Sequence, residues 1–202
     1  LFIKYIFEKS LVICILPFAL LLHIFIFMII KLDSKGTVFF KQKRFGKDGK
    51  VFRCYKYRTM FTNGHEILEK YLKENPKEIE YYKTYHKYQN DPRITKIGAF
   101  LRATSLDEFP QFFNILRGDM NLIGPRPYML SEKEKIGRIN EDTILKVKPG
   151  ITGLWQVSGR NDLTFQERIN LDKWYIQNWS LWMDFVIFMK TINVVLSKVG
   201  AK

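Results

Sequence analysis

The chain has 202 residues, a length that suits one substantial hydrophobic core and favours a single domain over two. Lys and Arg number 33 against 20 Asp and Glu, and the formal net charge of +13 indicates an anionic partner: nucleic acid, an anionic membrane surface or a phosphorylated substrate. Two cysteines and three separated histidines argue against a disulfide framework, a zinc site and a histidine-based triad, and they fit a reducing compartment.

An apolar run, LVICILPFALLLHIFIFMII, occupies residues 11–30. At about 1.5 Å per residue a helix of this length crosses the roughly 30 Å hydrocarbon core of a bilayer, so the run predicts contact with a membrane. Basic residues such as Lys9 and Lys31 flank both ends and indicate no orientation, while Pro17 predicts a kink in the middle. Two topologies stay open: an ordinary spanning helix, and a bent re-entrant helix that enters and leaves on the same face.

The C-terminal region carries a second membrane signal. Trp174, Trp179 and Trp182 have the spacing of interfacial aromatic residues, and the stretch that follows is typical of an amphipathic helix lying in the headgroup plane. A core-facing helix of a soluble domain is the alternative. Together the two ends predict a monotopic protein, with a membrane-inserted helix over residues 1–35 and a cytosolic, membrane-associated domain over residues 36–202.

The body is predicted to be α+β and mostly helical. Residues 36–60 read as a basic β-hairpin turning between Gly46 and Gly49, and its cationic side chains form either a solvated strand face or a cradle for phosphates. Two helical segments broken at Pro76 follow over residues 64–90, and a further short helix ends before residue 105. The cationic residues of the hairpin are Lys41, Lys43, Arg44, Lys56 and Arg58.

The stretch SLDEFP, residues 105–110, places two carboxylates side by side in this basic chain. Ser105 and Glu108 fit a capping box, and a helix beginning at Pro110 is the alternative. In either case Asp107 and Glu108 lie near a helix N-terminus, where the macrodipole favours ionised carboxylates and attracts phosphate. If phosphate binds, Asp107 is a candidate nucleophile and Glu108 a ligand for Mg²⁺, with Arg102 as a fixed cation; the alternative is a capped, solvated helix end.

Two glycine- and proline-rich stretches follow. GDMNLIGPRP holds Arg126 between two prolines, where a stiff backbone presents the guanidinium to a phosphate. PGITGLWQVSGRNDLTFQER is a loop containing Arg160, and Thr164 with Glu167 forms a second predicted capping box that opens the next helix. Trp155 either stacks on a base or lies buried.

These stretches together closely resemble the bacterial sugar transferase family, the monotopic polyprenyl-phosphate phosphoglycosyl transferases. The resemblance covers nearly the whole chain, and the last block is most similar to the branch that transfers a hexose phosphate. Larger members of that branch carry further membrane helices and another domain ahead of this core, so we expect a short member or an excised catalytic core. The resemblance is carried by the apolar segment with Pro17, FFKQKRFGKDGKVFRCYKYRTM, DPRITKIGAFLRATSLDEFPQFFNILRGDMNLIGPRP and PGITGLWQVSGRNDLTFQERINLDKWYIQNWSLWMDF.

The resemblance implies transfer of a sugar 1-phosphate from a UDP-sugar to polyprenyl (undecaprenyl) phosphate, with UMP as the other product. It implies a re-entrant topology for the membrane-inserted helix over residues 1–35, a bacterial inner membrane location with the catalytic domain on the cytoplasmic face, and a role in polysaccharide or glycoconjugate assembly. By this analogy Asp107 forms a phosphoaspartyl intermediate and Glu108 holds Mg²⁺. The positions that match substrate-binding residues of the family are Lys56, Arg58, Arg102, Arg126 and Arg160.

Two other classes of protein remain as rivals. One is a membrane-anchored nucleic-acid-binding or scaffold protein without turnover, in which the hairpin binds a phosphate backbone and the carboxylates cap a helix. The other is a Mg²⁺-dependent hydrolase of nucleotide sugars. The resemblance makes membrane lipid, and not nucleic acid, the expected partner. The sugar, the polyprenol length and the oligomeric state, a homodimer included, are not determined by the sequence.

Overall fold

The computed structural model describes residues 2–85, 88–159 and 163–197. It is mostly helical, as the sequence predicts, and contains two small two-stranded sheets. The helices are α1 (Phe2–Asp33), α2 (Gly64–Glu74), α3 (Lys77–Tyr85), α4 (Lys96–Ala103), α5 (Phe112–Arg117), α6 (Lys133–Ile136), α7 (Arg138–Ile144), α8 (Leu154–Val157), α9 (Phe165–Gln177) and α10 (Leu181–Ser197). The strands are β1 (Phe39–Phe45), β2 (Val51–Tyr57), β3 (Asn121–Ile123) and β4 (Gly150–Thr152).

Strands β1 and β2 form the predicted basic hairpin. They pair antiparallel from Phe39 opposite Tyr57 to Phe45 opposite Val51, and the turn is a short 3₁₀ helix over Lys47–Gly49. Because side chains alternate between the faces of a strand, this register divides the cations of the hairpin into two groups. Arg44 and Lys56 share one face with the buried Cys54, whereas Lys41 and Lys43 lie on the opposite face, where both side chains are exposed.

Helix α1 packs along the body over its whole length. Its buried positions follow a helical stripe, in which Val12 contacts a cluster that includes Cys54 while Ile26 and Ile30 contact a cluster that includes Tyr57. The remaining faces carry large apolar side chains that are exposed, such as Phe18 at 76% exposure. By length and composition this is the one helix of the described residues that could cross a membrane, and it continues through Pro17.

The N-terminal end of α1 is fixed by a buried polar cluster. Lys4 Nζ donates to the carbonyl oxygen of Ile123 at 2.8 Å and to the Tyr175 hydroxyl at 2.9 Å, and it pairs with Asp184 Oδ2 at 2.8 Å. Glu8 Oε1 accepts from the backbone N–H of Ile123 at 3.2 Å. The two ends of the apolar helix are therefore both attached to the same body.

Two contacts seat the central helices on the hairpin. Asn114, fully buried on α5, accepts from the Tyr55 N–H at 3.1 Å and donates to the Arg53 carbonyl at 2.8 Å. Gly98 lets α4 approach the backbone of Thr59, because a Cβ at this position would lie 2.1 Å from the Thr59 carbonyl oxygen. These close approaches bring the segment between α4 and α5 against β2.

The second sheet is absent from the sequence-based prediction. Strands β3 and β4 pair in parallel, with Asn121 opposite Gly150 and Ile123 opposite Thr152. Three-residue strands carry too little alternation to be recognised in a sequence. This pairing places the GPRP stretch that follows β3 beside the loop that follows β4. Helix α9 then begins at the capping box predicted at Thr164, whose Oγ1 accepts from the backbone N–H of Glu167 at 3.3 Å.

Candidate active site

Asp107 and Glu108 lie in the first turn of a 3₁₀ helix, Leu106–Gln111, that packs against β2. Ser105 precedes it in the left-handed conformation, at φ 58°, and makes no side-chain capping hydrogen bond. The predicted capping box is therefore wrong, because an N-cap side chain reaches the first-turn N–H groups from an extended backbone. The helix nevertheless begins directly after Ser105, as the first of the two predicted starts requires, and the alternative start at Pro110 is wrong because Pro110 lies inside the 3₁₀ helix.

Lys56 is the cation nearest to the carboxylate pair. Its Nζ forms an ion pair with Glu108 Oε1 and lies 3.8 Å from Asp107 Oδ2. Burial opposes the charged ammonium, but the two carboxylates outweigh burial and raise the pKa of Lys56. The lysine is therefore charged at neutral pH and lies beside both acids, a contact that the sequence does not predict.

The Asp107 side chain is 14% exposed, and this burial raises its pKa from 3.8 to about 6. Lys56 and Arg102 oppose the rise, and the negative charge of Glu108 adds to it. The expectation that a helix N-terminus strongly favours the ionised form is wrong for this residue, because desolvation dominates in a short 3₁₀ helix. At neutral pH Asp107 is still mostly ionised, and it is more basic than an exposed carboxylate.

Arg102 lies in the last turn of α4, on the side of Asp107 away from the hairpin turn. Its Nε donates to Thr59 Oγ1 at 2.9 Å, which orients the guanidinium. The charge of Arg102 lowers the pKa of Asp107. The predicted neighbour of the pair is thus close enough to influence it.

Arg58 is not brought to the pair. It is 8% exposed, and its guanidinium donates to the Ser34 carbonyl at 2.8 Å, the Ser34 hydroxyl at 2.7 Å and the Thr37 carbonyl at 2.6 Å. These acceptors belong to the connection between α1 and β1. In this structure the Arg58 guanidinium therefore stabilises that connection through two backbone carbonyls and one hydroxyl, and its predicted contact with substrate stays a prediction.

Arg126 is held by a second acidic group, formed by Glu132 and Asp172. Its backbone N–H donates to Asp172 Oδ2 at 3.1 Å, and its Nη2 pairs with Glu132 Oε1 at 3.1 Å. The Tyr128 hydroxyl donates to the same Asp172 oxygen at 2.8 Å. Burial raises the pKa of Asp172 to about 7, against the lowering effect of these hydrogen bonds. The stiff segment around Arg126 is thus fixed at both its backbone and its side chain.

Arg44 connects the two groups. It lies on the same face of the hairpin as Lys56, its Nη1 donates to the Pro127 carbonyl at 2.8 Å, and it approaches Glu132 at 4.0 Å. Burial, followed by the charge of Arg126, lowers the pKa of Arg44, and the charges of Glu132 and Glu108 oppose this. A continuous line of cations and acids therefore runs from Arg102 through the carboxylate pair to Arg126. Arg160, the remaining predicted binding residue, lies outside the described residues.

Four residues that lie around Arg126 in the structure were not assigned to the site from the sequence: Arg44, Glu132, Arg168 and Asp172. Arg168 and Asp172 are four residues apart on α9 and so share a helix face, which is a signal that the sequence does contain. Glu132 is marked by no motif. Arg44 appears only as one cation among several until the strand register assigns it to the inward face.

The pair suits a metal ion that is shared with a substrate. Within residues 2–85, 88–159 and 163–197 no group of three or more His, Cys, Asp or Glu side chains is placed to hold a metal by itself. Mg²⁺ in nucleotide sites is usually held by one or two carboxylates, with phosphate oxygens and water completing the octahedron. Glu108, whose side chain is 34% exposed beside a second carboxylate, fits that arrangement.

The described residues thus form a small α+β body with one apolar helix packed along it, and a carboxylate pair set beside cations. The sequence model of the bacterial sugar transferase family matches residues 1–198, and the chain belongs to this family.

Characterised relatives are similar over most of the chain. It is 47% identical over 180 residues to the UDP-galactose-lipid carrier transferase of Erwinia amylovora, covering 89% of this chain and 37% of that protein. It is 44% identical over 200 residues to the undecaprenyl-phosphate galactose phosphotransferase of Salmonella typhimurium, covering 99% and 42%. The exopolysaccharide production protein ExoY of Rhizobium meliloti is 44% identical over 180 residues, covering 89% and 79%. The chain therefore spans about two fifths of the first two relatives and most of the third.

Proposed function

We propose that this protein transfers a hexose 1-phosphate from a UDP-sugar to undecaprenyl phosphate, giving undecaprenyl diphosphate sugar and UMP. The observation that carries the proposal is Asp107, a largely buried carboxylate with a pKa raised to about 6, placed beside Lys56 and within the field of Arg102. The names of two relatives supply the substrate class, since they are a UDP-galactose-lipid carrier transferase and an undecaprenyl-phosphate galactose phosphotransferase.

The reaction is two displacements at one phosphorus. An oxygen of the Asp107 carboxylate attacks the phosphorus bonded to the sugar; a new O–P bond forms, the P–O bond to the nucleoside phosphate breaks, and UMP leaves with the electron pair. An oxygen of undecaprenyl phosphate then attacks the same phosphorus, and the bond to Asp107 breaks to restore the carboxylate. A carboxylate suits this role because its acyl phosphate is itself reactive.

The cations around the pair reduce the repulsion between an anionic nucleophile and an anionic phosphate. Lys56 contacts both acids, and Arg102 approaches from the other side with its guanidinium oriented by Thr59. Mg²⁺ held by Glu108 and by phosphate oxygens would supply further positive charge at the same place. Arg126, on the preorganised segment after β3, is assigned to the donor diphosphate.

The acceptor requires the site to lie at a membrane surface, and we propose a re-entrant α1 that keeps the body on the cytoplasmic face. Both ends of α1 contact the same body, through Lys4 at one end and Ile30 at the other, and basic residues flank both ends. The exposed apolar faces of α1 and of α10, where Trp182 is 70% exposed, supply the surface that such an insertion requires.

The test is UMP release from a panel of UDP-sugars with Mg²⁺ and undecaprenyl phosphate. We compare the wild type with Asp107→Asn and with Asp142→Asn, a matched loss of one carboxylate at an exposed position on α7. We expect sustained release that needs the lipid, identifies the sugar, falls by at least about 1,000-fold in Asp107→Asn and is unchanged in Asp142→Asn; without lipid, release should stop at about one UMP per protein. Continued turnover without lipid would indicate a hydrolase, and release unaffected by Asp107→Asn would remove this residue as the nucleophile.

A further inference from the structure

Two arginines and a tryptophan form a cluster beyond the carboxylate pair. The guanidinium carbon of Arg126 lies 6.0 Å from the centre of the Trp155 ring, and that of Arg168 lies 5.1 Å from it. Trp155 comes from α8, after β4, and Arg168 from α9, so three separate elements meet here. Each contact is within the range of a cation–π interaction, which allows one indole to hold both guanidinium groups.

The cluster contains buried N–H groups without acceptors. Arg168 Nε, Trp155 Nε1 and the Nε of the adjoining Arg44 are all buried, and none has a hydrogen-bond partner among the residues the structure describes. An unsatisfied buried donor typically costs about 1–3 kcal/mol, and a charged one costs more. Gln156 Oε1 and Asp172 Oδ1 are buried without a partner as well, but they do not pair with these three N–H groups, which therefore remain available to an acceptor-rich ligand.

The charges of the cluster are also unbalanced. Glu132 pairs with Arg126 at 3.1 Å and approaches Arg44 at 4.0 Å, whereas Arg168 has no carboxylate within ion-pair distance among the described residues. Burial, followed by the charge of Arg126, lowers the pKa of both Arg44 and Arg168. The near neutral pKa of Asp172 removes part of its compensating charge at pH 7. A bound anion would offset this mutual repulsion.

We propose that Arg168 and Arg126, held on the Trp155 indole, bind the phosphate that leaves with the nucleoside, so that Arg168 is a second leaving-group arginine. The inference rests on the proposed function and assigns residues that the function itself does not require. Arg44 lies on the same hairpin face as Lys56, the partner of Glu108, and both Arg44 and Arg126 face Glu132, which sets the direction: the attacked phosphorus lies at Asp107 and the departing phosphate toward Arg126. As the P–O bond breaks, the negative charge on UMP grows, and two guanidinium groups stabilise it.

If Arg168 binds only the departing UMP, its replacement should affect the first half-reaction and not the second. In a mechanism with a covalent intermediate, kcat/KM for the UDP-sugar reports the step in which UMP leaves, and kcat/KM for undecaprenyl phosphate reports the later step. Removing a group that binds only the departing nucleotide lowers the first constant and leaves the second unchanged. A residue needed only for folding would lower both through the fraction of active protein.

The experiment measures both constants for Arg168→Ala, Arg168→Lys and Arg138→Ala, the last removing an exposed arginine on α7. We expect Arg168→Ala to lower kcat/KM for the UDP-sugar by about 10- to 100-fold and to weaken product inhibition by UMP by a similar factor. Arg168→Lys should restore part of the loss, since it keeps the charge without the planar fork. Arg138→Ala should change neither constant.

Binding of UMP to the detergent-solubilised protein, measured by titration calorimetry, separates this inference from the proposed function. If the wild type releases no UMP from any donor, the proposed function fails, while weaker UMP binding in Arg168→Ala would still support the subsite. Equal UMP binding by the wild type and Arg168→Ala, the absence of UMP binding by the wild type, or an equal fall in both kinetic constants would overturn the assignment. Trp155→Phe, which keeps an aromatic face, tests the indole if Arg168→Ala does not fold.

Discussion

Replacing Asp107 by Asn should stabilise the protein at neutral pH while abolishing its activity. Burial raises the pKa of Asp107 from 3.8 to about 6, so the ionised form is less favourable in the folded protein than in the unfolded chain. At about 1.4 kcal/mol for each tenfold change in acid dissociation constant, the ionised carboxylate costs about 3 kcal/mol of folding free energy at pH 7. Asparagine has nearly the same shape and no charge, so it avoids up to that amount.

The sign of the effect depends on pH. Between about pH 4 and pH 6 the folded protein binds the proton more tightly than the unfolded chain, so the contribution of Asp107 to stability decreases as the pH rises through this window. Below about pH 4 the wild-type carboxyl is neutral in both states, and the advantage of Asp107→Asn should disappear. At pH 7 a gain of about 3 kcal/mol corresponds to a rise in Tm of roughly 6–12 °C for a chain of this size.

The assay is thermal unfolding in detergent at pH 7 and at pH 4, with Asp142→Asn as the control for loss of an exposed carboxylate. We expect a higher Tm for Asp107→Asn at pH 7 only, and no pH-dependent difference for Asp142→Asn. A lower Tm at pH 7, or an equal shift at both pH values, would refute the reasoning, because it would mean that burial of the charge does not dominate at Asp107.

Two further predictions follow from the ion pairs. In Lys56→Ala the pKa of Asp107 should rise above about 6, because the cation that lowers this pKa is gone. The acid limb of the pH profile of UMP release should then move to higher pH. Lys56→Arg keeps the charge and should leave the acid limb in place. In Lys4→Met the buried cluster at the end of α1 loses its cation, and the free energy of unfolding should fall by about 3–5 kcal/mol. Chemical denaturation measures that loss, and adding Asp184→Asn should recover part of it; a Lys4→Met protein of unchanged stability would contradict this account.

The cations of the hairpin show which part of the site can be predicted from the sequence and which part requires the strand register. The basic composition of residues 36–60 predicts phosphate contacts, but it does not separate Lys56 and Arg44 from Lys41 and Lys43. The strand register makes that separation, since opposite and alternate positions fix which side chains face the interior. The sequence likewise does not show that the Arg58 guanidinium, whose charge suits a phosphate, donates to the backbone carbonyls of Thr37 and Ser34.

The sequence by itself determined the apolar helix, the hairpin, the capping box at Thr164 and the carboxylate pair, because each is written in adjacent residues or in a short period. Only the tertiary structure decided the pKa of Asp107, since desolvation depends on what packs around a side chain and not on its neighbours in the chain. Contacts between residues far apart in the sequence decided how the end of α1 is fixed and how the arginine cluster forms. Lys4 reaches Asp184, and Trp155 meets Arg126 and Arg168, through packing that no local pattern encodes.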